Sequence, residues 1–366
     1  MSGLLDDPAR HARFDPGAMH DIIAGFPGQL RHGIHLTETI DWSSFKPTTP
    51  AGICFCGMGG SAIGGDLARS YWETESPIPL IVVRNYRLPA FVNEHWFIIA
   101  TSYSGNTEET LAAVAEAGDR RCKRILALAS GGELAAIAEQ KEWPLITLPR
   151  GFMPRATLGY SFAATMVALA HWGVAGNNPS RTADRMSELI ADSASFLERM
   201  TTRFGRNAPT SGNPAKCAAA ALAGRTAVIL GSAGTTEALA LRVKSQLNEN
   251  GKLFALASVL PEANHNEVVG LDALDRAADR PVVVLLSTGD EGENVIAQQR
   301  ACVARLCQRG MAVIQLNADG TDRLQRMLYL VYLGDFISYY SAIVRGVDPT
   351  PILALEEIKA SLKKSS

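Results

Sequence analysis

A strand, a glycine-rich turn and a helix follow one another twice in this chain, and that repeated grammar limits the fold more than any other feature. In the first pass the apolar run GICFC (52–56) enters the turn GMGGSAIGG (57–65), and helical spacing takes over through Trp72. IPLIVVRNY, HWFIIATSYSG, RILALAS and WPLITLP then read as short buried strands separated by helices or turns. In the second pass RTAVILGSAGTTEALALRVKSQL repeats strand, turn and helix. PVVVLLSTGDEGEN and MAVIQLNA add strands, and RLQRMLYLVYLGDFISYYSAIV reads as a long helix. Apolar strands alternating with helices imply parallel sheets covered on both faces, hence an α/β chain with two sheets of similar topology.

The remaining segments set the domain limits. Residues up to about Thr48 read as helical, punctuated by Pro16 and Pro27. The stretch NAPTSGNP (207–214) has the composition of a linker, and the tail from Asp348 begins DPTP and continues as one short helix. The expected division is a helical segment over 1–45, a first domain over 46–205 and a second over 206–366.

Composition excludes several functions. In 366 residues, 47% are hydrophobic and 20% charged, which is enough apolar material for more than one core and no signature of disorder. A net charge of −2 with no basic stripe argues against a nucleic-acid partner. The six cysteines form no CxxC and no Cys/His cluster with zinc spacing, so no metal is expected; Cys54 and Cys56, inside an apolar run, read as buried hydrophobes of a reduced, cytoplasmic protein. The N-terminus is charged, with no apolar core of a secretory signal. Ala156 to Ser180 contains no Asp, Glu, Lys or Arg, but a membrane span wants about 20 predominantly apolar residues. Here Thr157, Gly159, Ser161, Thr165 and His171 interrupt the run, and Gly173 and Gly176 break its end. A buried core helix, with His171 a satisfied core residue, is the expectation, and no membrane partner.

The two turns of the first half carry the chemistry. Gly57–Gly65 lies between a buried strand and a helix, where free N–H groups and the helix dipole favour an anion. Gly57, Gly59 and Ala62 also fit the loose pattern GxGxxG/A, but the acidic ribose ligand expected after the second strand is replaced by Arg84. That leaves an NADP-dependent oxidoreductase as a weak reading, and no GK[ST] supports a nucleoside triphosphate. A turn needed only for packing is the bland alternative. In the second turn Ser102, Ser104 and Thr107 bring three hydroxyls to the start of a helix opened by Glu108 and Glu109. One hydroxyl suffices for a cap, so three favour a cradle for a monophosphate. Together with Gly60 and Ser61 they describe a pocket for a phosphorylated small molecule at the carboxyl ends of the strands.

GMGGSAIGGDL, SYSGNTEET, PRATLGYSF, LNENGK and PEANHNE, in that order, resemble the bifunctional phosphoglucose/phosphomannose isomerase family of the sugar isomerase (SIS) domain superfamily. The resemblance runs from about residue 50 to the C-terminus. It implies two SIS-type domains, each a parallel sheet flanked by helices in three αβα layers, and a homodimer acting on hexose 6-phosphates without a cofactor. Gly60, Ser61, Ser102, Ser104 and Thr107 would hold the phosphate. The family's isomerase base falls on Glu249, and its ring-opening histidine on His265, which would reach the site from the neighbouring subunit. Arg155 matches the arginine beside the reacting carbons and Lys359 the family's terminal lysine. The second glycine turn, Gly231–Thr236, lacks a partner like SYSGNTEET, which implies one sugar site per chain.

Those residue types suit an aldose–ketose isomerisation. Glucose 6-phosphate and mannose 6-phosphate are C2 epimers that share one enediol with fructose 6-phosphate, so one base near C1 and C2 serves both sugars. A cation stabilises the oxyanion, and an acid–base group first opens the ring. Taken singly each residue has a plainer reading: Glu249 as an exposed end-of-helix glutamate, His265 as a loop histidine, Arg155 as a helix-start residue, Lys359 as a surface lysine. A non-catalytic sugar-phosphate sensor of the same superfamily is the alternative. The aromatic stretch Leu328 to Tyr340 reads either as a dimer face or as core.

Overall fold

The computed structural model describes residues 2–45, 49–174, 176, 182–274 and 280–365. Three short helices come first, α1 (Pro8–Phe14), α2 (Met19–Ala24) and α3 (Phe26–Leu36). The first sheet is built from β1 (Gly52–Cys56), β2 (Leu80–Val83), β3 (Trp96–Thr101), β4 (Arg124–Ala129) and β5 (Leu145–Thr147). Its helices are α4 (Gly59–Trp72), α5 (Glu108–Asp119), α6 (Gly132–Gln140) and α7 (Leu158–His171). After α8 (Ala183–Phe204) and α9 (Pro214–Leu222) comes the second sheet, with β6 (Ala227–Ser232), α10 (Glu237–Glu249), β7 (Ala255–Leu260) and α11 (Glu267–Asp272). It continues through β8 (Val282–Ser287), α12 (Glu293–Gln308) and β9 (Val313–Asn317), followed by α13 (Arg323–Arg345) and α14 (Leu353–Ser365).

Every strand pair is parallel, in the orders β2-β1-β3-β4-β5 and β7-β6-β8-β9. Alternation sorts the side chains to two cores. On β1, Ile53 and Phe55 join a large cluster that reaches α7, α10 and α13, while Cys54 and Cys56 face a smaller one with Ile98 and Cys122. The large cluster spans both sheets and takes in Leu5, Met19, Ile23, Phe26 and Leu30 from the N-terminal segment. That segment is also held by polar contacts, because Lys216, fully buried, donates to Asp6 Oδ1 (2.9 Å), Arg206 O (2.9 Å) and Ala208 O (2.7 Å).

Two readings of the sequence need correction and one left open is decided. Leu328–Tyr340, which read either as a dimer face or as core, is core: it is the middle of α13, buried between the sheets and the N-terminal helices. By length and composition α13 would cross a bilayer, yet its apolar window is wholly buried inside the fold. His171 is not a core residue; it is exposed at the end of α7, stacked on Trp42 with ring centroids 4.4 Å apart. Strand β7 is absent from the sequence reading although Asn250-Gly251 marks a turn before it: the run ALASVL is short and mixes small and polar residues, and at the sheet edge only Ala255 and Leu260 are buried. Of the apolar stretch 156–180, residues 175 and 177–180 lie outside the described part, and Leu158–His171 is buried at nearly every position.

Candidate active site

The carboxyl ends of β1 and β3 face the first turns of α4 and α5. Thr107 stands at the N-cap of α5 but makes no capping bond; its hydroxyl lies 2.8 Å from Ser102 Oγ instead. Ser61 Oγ accepts from Tyr103 N (3.3 Å) and Ser104 Oγ from Asn106 N (3.2 Å). Neither α4 nor α5 has a side-chain cap, so both helices turn free N–H groups toward the same hydroxyl-lined space. Gly60 suits a close approach there: a Cβ would sit 3.0 Å from the N and Cα of Arg155, so any other residue would push that backbone away by a few tenths of an ångström.

Beside this cradle a cavity of about 230 Å³ opens between the two sheets. The first half lines it with Gly59, Gly60, Ile63, Arg84 and Arg155, and α10 with Leu241, Arg242, Lys244, Ser245 and Glu249. Glu249 ends α10, its side chain 27% exposed, with Oε2 3.9 Å from Arg155 Nη1. Arg155 is otherwise fixed. Nε donates to Asn250 Oδ1 (2.6 Å), and Nη2 to the carbonyls of Pro349 (3.1 Å) and Thr350 (2.7 Å). Nη1 alone is buried without a hydrogen bond. Burial pushes the guanidinium below its ordinary pKa, opposed by Glu249 and reinforced by Arg242, though an arginine stays charged at any physiological pH. Lys252, which donates to the Glu249 carbonyl (2.5 Å), is likewise pushed down, first by burial and then by Arg155. A buried donor without an acceptor costs about 1–3 kcal/mol, and here it faces a carboxylate across an open cavity.

Gly60, Arg155 and Glu249, distant in sequence, thus meet at one cavity, with Ser61, Ser102, Ser104 and Thr107 in the adjoining turns. His265 and Lys359 do not line it. His265 is exposed on the 3-10 turn Glu262–His265 after β7, and Lys359 lies on the exposed helix α14. Arg84 is ion-paired with the buried Asp66, so the cation that a 2′-phosphate would need is already engaged. Among the described residues no group of His, Cys, Asp and Glu is arranged to hold a metal. The sequence reading missed Arg242 and Lys244. For Arg242 there was a signal, a charge on the buried face of α10 among Leu239, Ala240, Val243 and Leu247. A roomier recess of 890 Å³, lined by Arg121, Lys123, Lys141 and Trp143, lies at the opposite, amino-terminal ends of β4 and β5, away from the helix N-termini.

Two parallel sheets flanked by helices are the fold shared with solved phosphosugar isomerases. The tagatose-6-phosphate ketose/aldose isomerase of Escherichia coli superposes with a TM-score of 0.68 at 18% identity, over 90% of this chain and 94% of that one. Residues 211–362 match the bacterial phospho-glucose isomerase C-terminal SIS domain. The bifunctional phosphoglucose/phosphomannose isomerase of Caldicellulosiruptor bescii is 34% identical over 94% of this chain and 98% of its own length. That of Aquifex aeolicus is 33% identical over the same shares. The chain belongs to the bifunctional phosphoglucose/phosphomannose isomerase family.

Proposed function

We propose that this isomerase interconverts glucose 6-phosphate and mannose 6-phosphate with fructose 6-phosphate in the cavity between its sheets. The phosphate rests on Gly60, Ser61, Ser102, Ser104 and Thr107. Glu249 moves the proton between C2 and C1, and the free Nη1 of Arg155 receives the enediol oxyanion. The observation that carries this reading is that orphaned buried donor, 3.9 Å from the one carboxylate that lines the cavity among the described residues and beside the Gly60 turn. Fixing the phosphate holds C1 and C2 against the base, and such positioning supplies much of an enzyme's rate.

Ring opening falls to His265, assisted by Lys359, with His265 supplied by a second copy of the chain in a homodimer. Support comes from exposed apolar side chains on the elements that carry these residues. They are Leu256 on β7 and Val269 on α11, either side of His265 in the chain, and Leu353, Leu355, Ile358 and Leu362 on α14 with Lys359, side chains of the kind a second copy of the chain would cover. The units follow the sheets, 46–205 and 206–366, with 1–45 as a helical segment, and the setting is the cytoplasm.

Both sugars should turn over in the presence of a chelator, and Glu249→Gln should lower turnover by roughly 10²–10⁴ while leaving sugar-phosphate binding. Binding without turnover in the unaltered protein would instead make the chain a sensor. Mixing the impaired Glu249→Gln and His265→Ala chains should restore activity if the histidine crosses the interface, and no restoration would place it elsewhere.

A further inference from the structure

The orientation of Arg155 depends on a closed circuit of buried polar groups that joins both halves of the molecule. Arg155 Nε donates to Asn250 Oδ1, and Asn250 Nδ2 donates to Ser338 Oγ (3.1 Å). Ser338 Oγ donates to the Asp335 carbonyl (2.6 Å). The Asp335 carboxylate accepts from Arg242 twice, from Nε at 3.1 Å and from Nη2 at 2.7 Å, and from Gln246 Nε2 at 2.9 Å. Arg242 Nη2 then closes the ring by donating to the Arg155 carbonyl (2.8 Å). No member is more than 5% exposed.

A buried ion pair is a poor source of stability, because desolvating both charges offsets their attraction. A buried polar network whose hydrogen bonds are made does fix geometry, and in this one Gln246 Oε1 and Arg155 Nη1 are the buried side-chain atoms without a partner. This one grips Arg155 at both ends, its backbone through Arg242 and its side chain through Asn250, and leaves only Nη1 to face Glu249. We propose that Asp335 and Arg242 are positioning residues for the isomerase reaction, acting through Arg155 to hold its free nitrogen on the reacting oxygen. The inference rests on the assignment of Arg155 and Glu249 to the site.

Two folded variants test it. Asp335→Asn removes one charge; Arg242→Gln with Asp335→Asn removes both, and so keeps a foldable variant in hand if the single change is too costly. A misplacement of about 1 Å costs roughly 100-fold in rate, so kcat should fall on the order of 10- to 100-fold in the double variant. Inhibition by inorganic phosphate should stay within about twofold in both variants, because the cradle is untouched, and KM should do so in Asp335→Asn, whose altered side chain does not line the cavity. A kcat within about twofold of the unaltered enzyme in the folded double variant would overturn the proposal. In an Arg155→Lys background, Asp335→Asn should cost little more, since the residue through which it acts is already compromised; a further tenfold loss would overturn it. Full activity in Arg155→Lys alone would reject the site assignment, and the proposal with it.

Discussion

The loops that follow β3 and β8 occupy the same place in two sheets of matching strand order, and they deal with an anion in opposite ways. After β3, Ser102 and Thr107 bond to each other and the N-terminus of α5 is left without a side-chain cap. After β8, the carboxylate of Glu291, itself buried, turns back into the loop. It accepts from Ser287 Oγ (2.9 Å), Thr288 N (2.9 Å) and Gly289 N (2.8 Å). The neighbouring hydroxyls are spent internally as well: Thr236 Oγ1 accepts from Ser232 N (2.7 Å), and Ser232 Oγ accepts from Gln299 Nε2 (3.0 Å). Hydroxyls are engaged within both halves, and neither α5 nor α12 has a side-chain cap. The difference is the carboxylate, which in the second half takes the loop amides of Thr288 and Gly289 and has no counterpart among the residues 102–107 of the first. A repeated fold therefore does not imply a repeated site.

The sharpest way to break this comparison is to neutralise a glutamate in each half. Glu249→Gln should lower kcat by roughly 10²–10⁴, the usual worth of a positioned general base. Glu291→Gln should leave kcat within about twofold in the same steady-state assay. Equal losses would mean that the second loop belongs to the active site. The next effect comes from Gly105, which has φ +74 and whose added Cβ would fall 1.8 Å from the carbonyl oxygen of Gly131. Two backbones would have to part, so Gly105→Ala should cost roughly 3 kcal/mol in urea unfolding, from left-handed strain plus overpacking. It should also weaken binding of inorganic phosphate. Ser102→Ala should come third: a hydrogen bond to a charged group contributes about 1.5–3 kcal/mol. The corresponding loss in kcat/KM should appear chiefly in KM, whereas Ser232→Ala in the second half should leave both constants unchanged.

How much of this is legible in the sequence depends on the range of the interactions. The glycine and hydroxyl turns are legible because such residues between an apolar run and a helix have few other uses. The parallel sheets follow from continuous apolar strands. Local rules do not reach the orphaned Nη1 of Arg155, because its partners Asn250, Pro349 and Thr350 come from distant parts of the chain. Glu291 is a subtler case. In STGDEGEN it reads as one more acid in a polar turn, and only the fold reveals a carboxylate pointing back at its own loop. Arg242 was within reach, since a charge at a buried helical position demands a partner. Whether Leu328–Tyr340 packed inward could not be settled by composition, because an interface and a core use the same residues.

The smallest effect separates backbone conformation from packing. Gly289 has φ +77, nearly the value at Gly105, but a Cβ there would meet nothing within 4 Å. Gly289→Ala therefore isolates the left-handed strain, about 1–2 kcal/mol for a non-glycine residue, with no steric addition. Its amide can still donate to Glu291, so the internal anion stays in place and isomerase activity should be unaltered. Urea unfolding of the two glycine variants side by side gives the test. A penalty at Gly289 as large as that at Gly105 would show that the loop after β8 is braced by contacts as tight as those of the phosphate loop. A clearly smaller one would show that the second half retains the turn's shape while having shed the packing that holds a ligand site rigid.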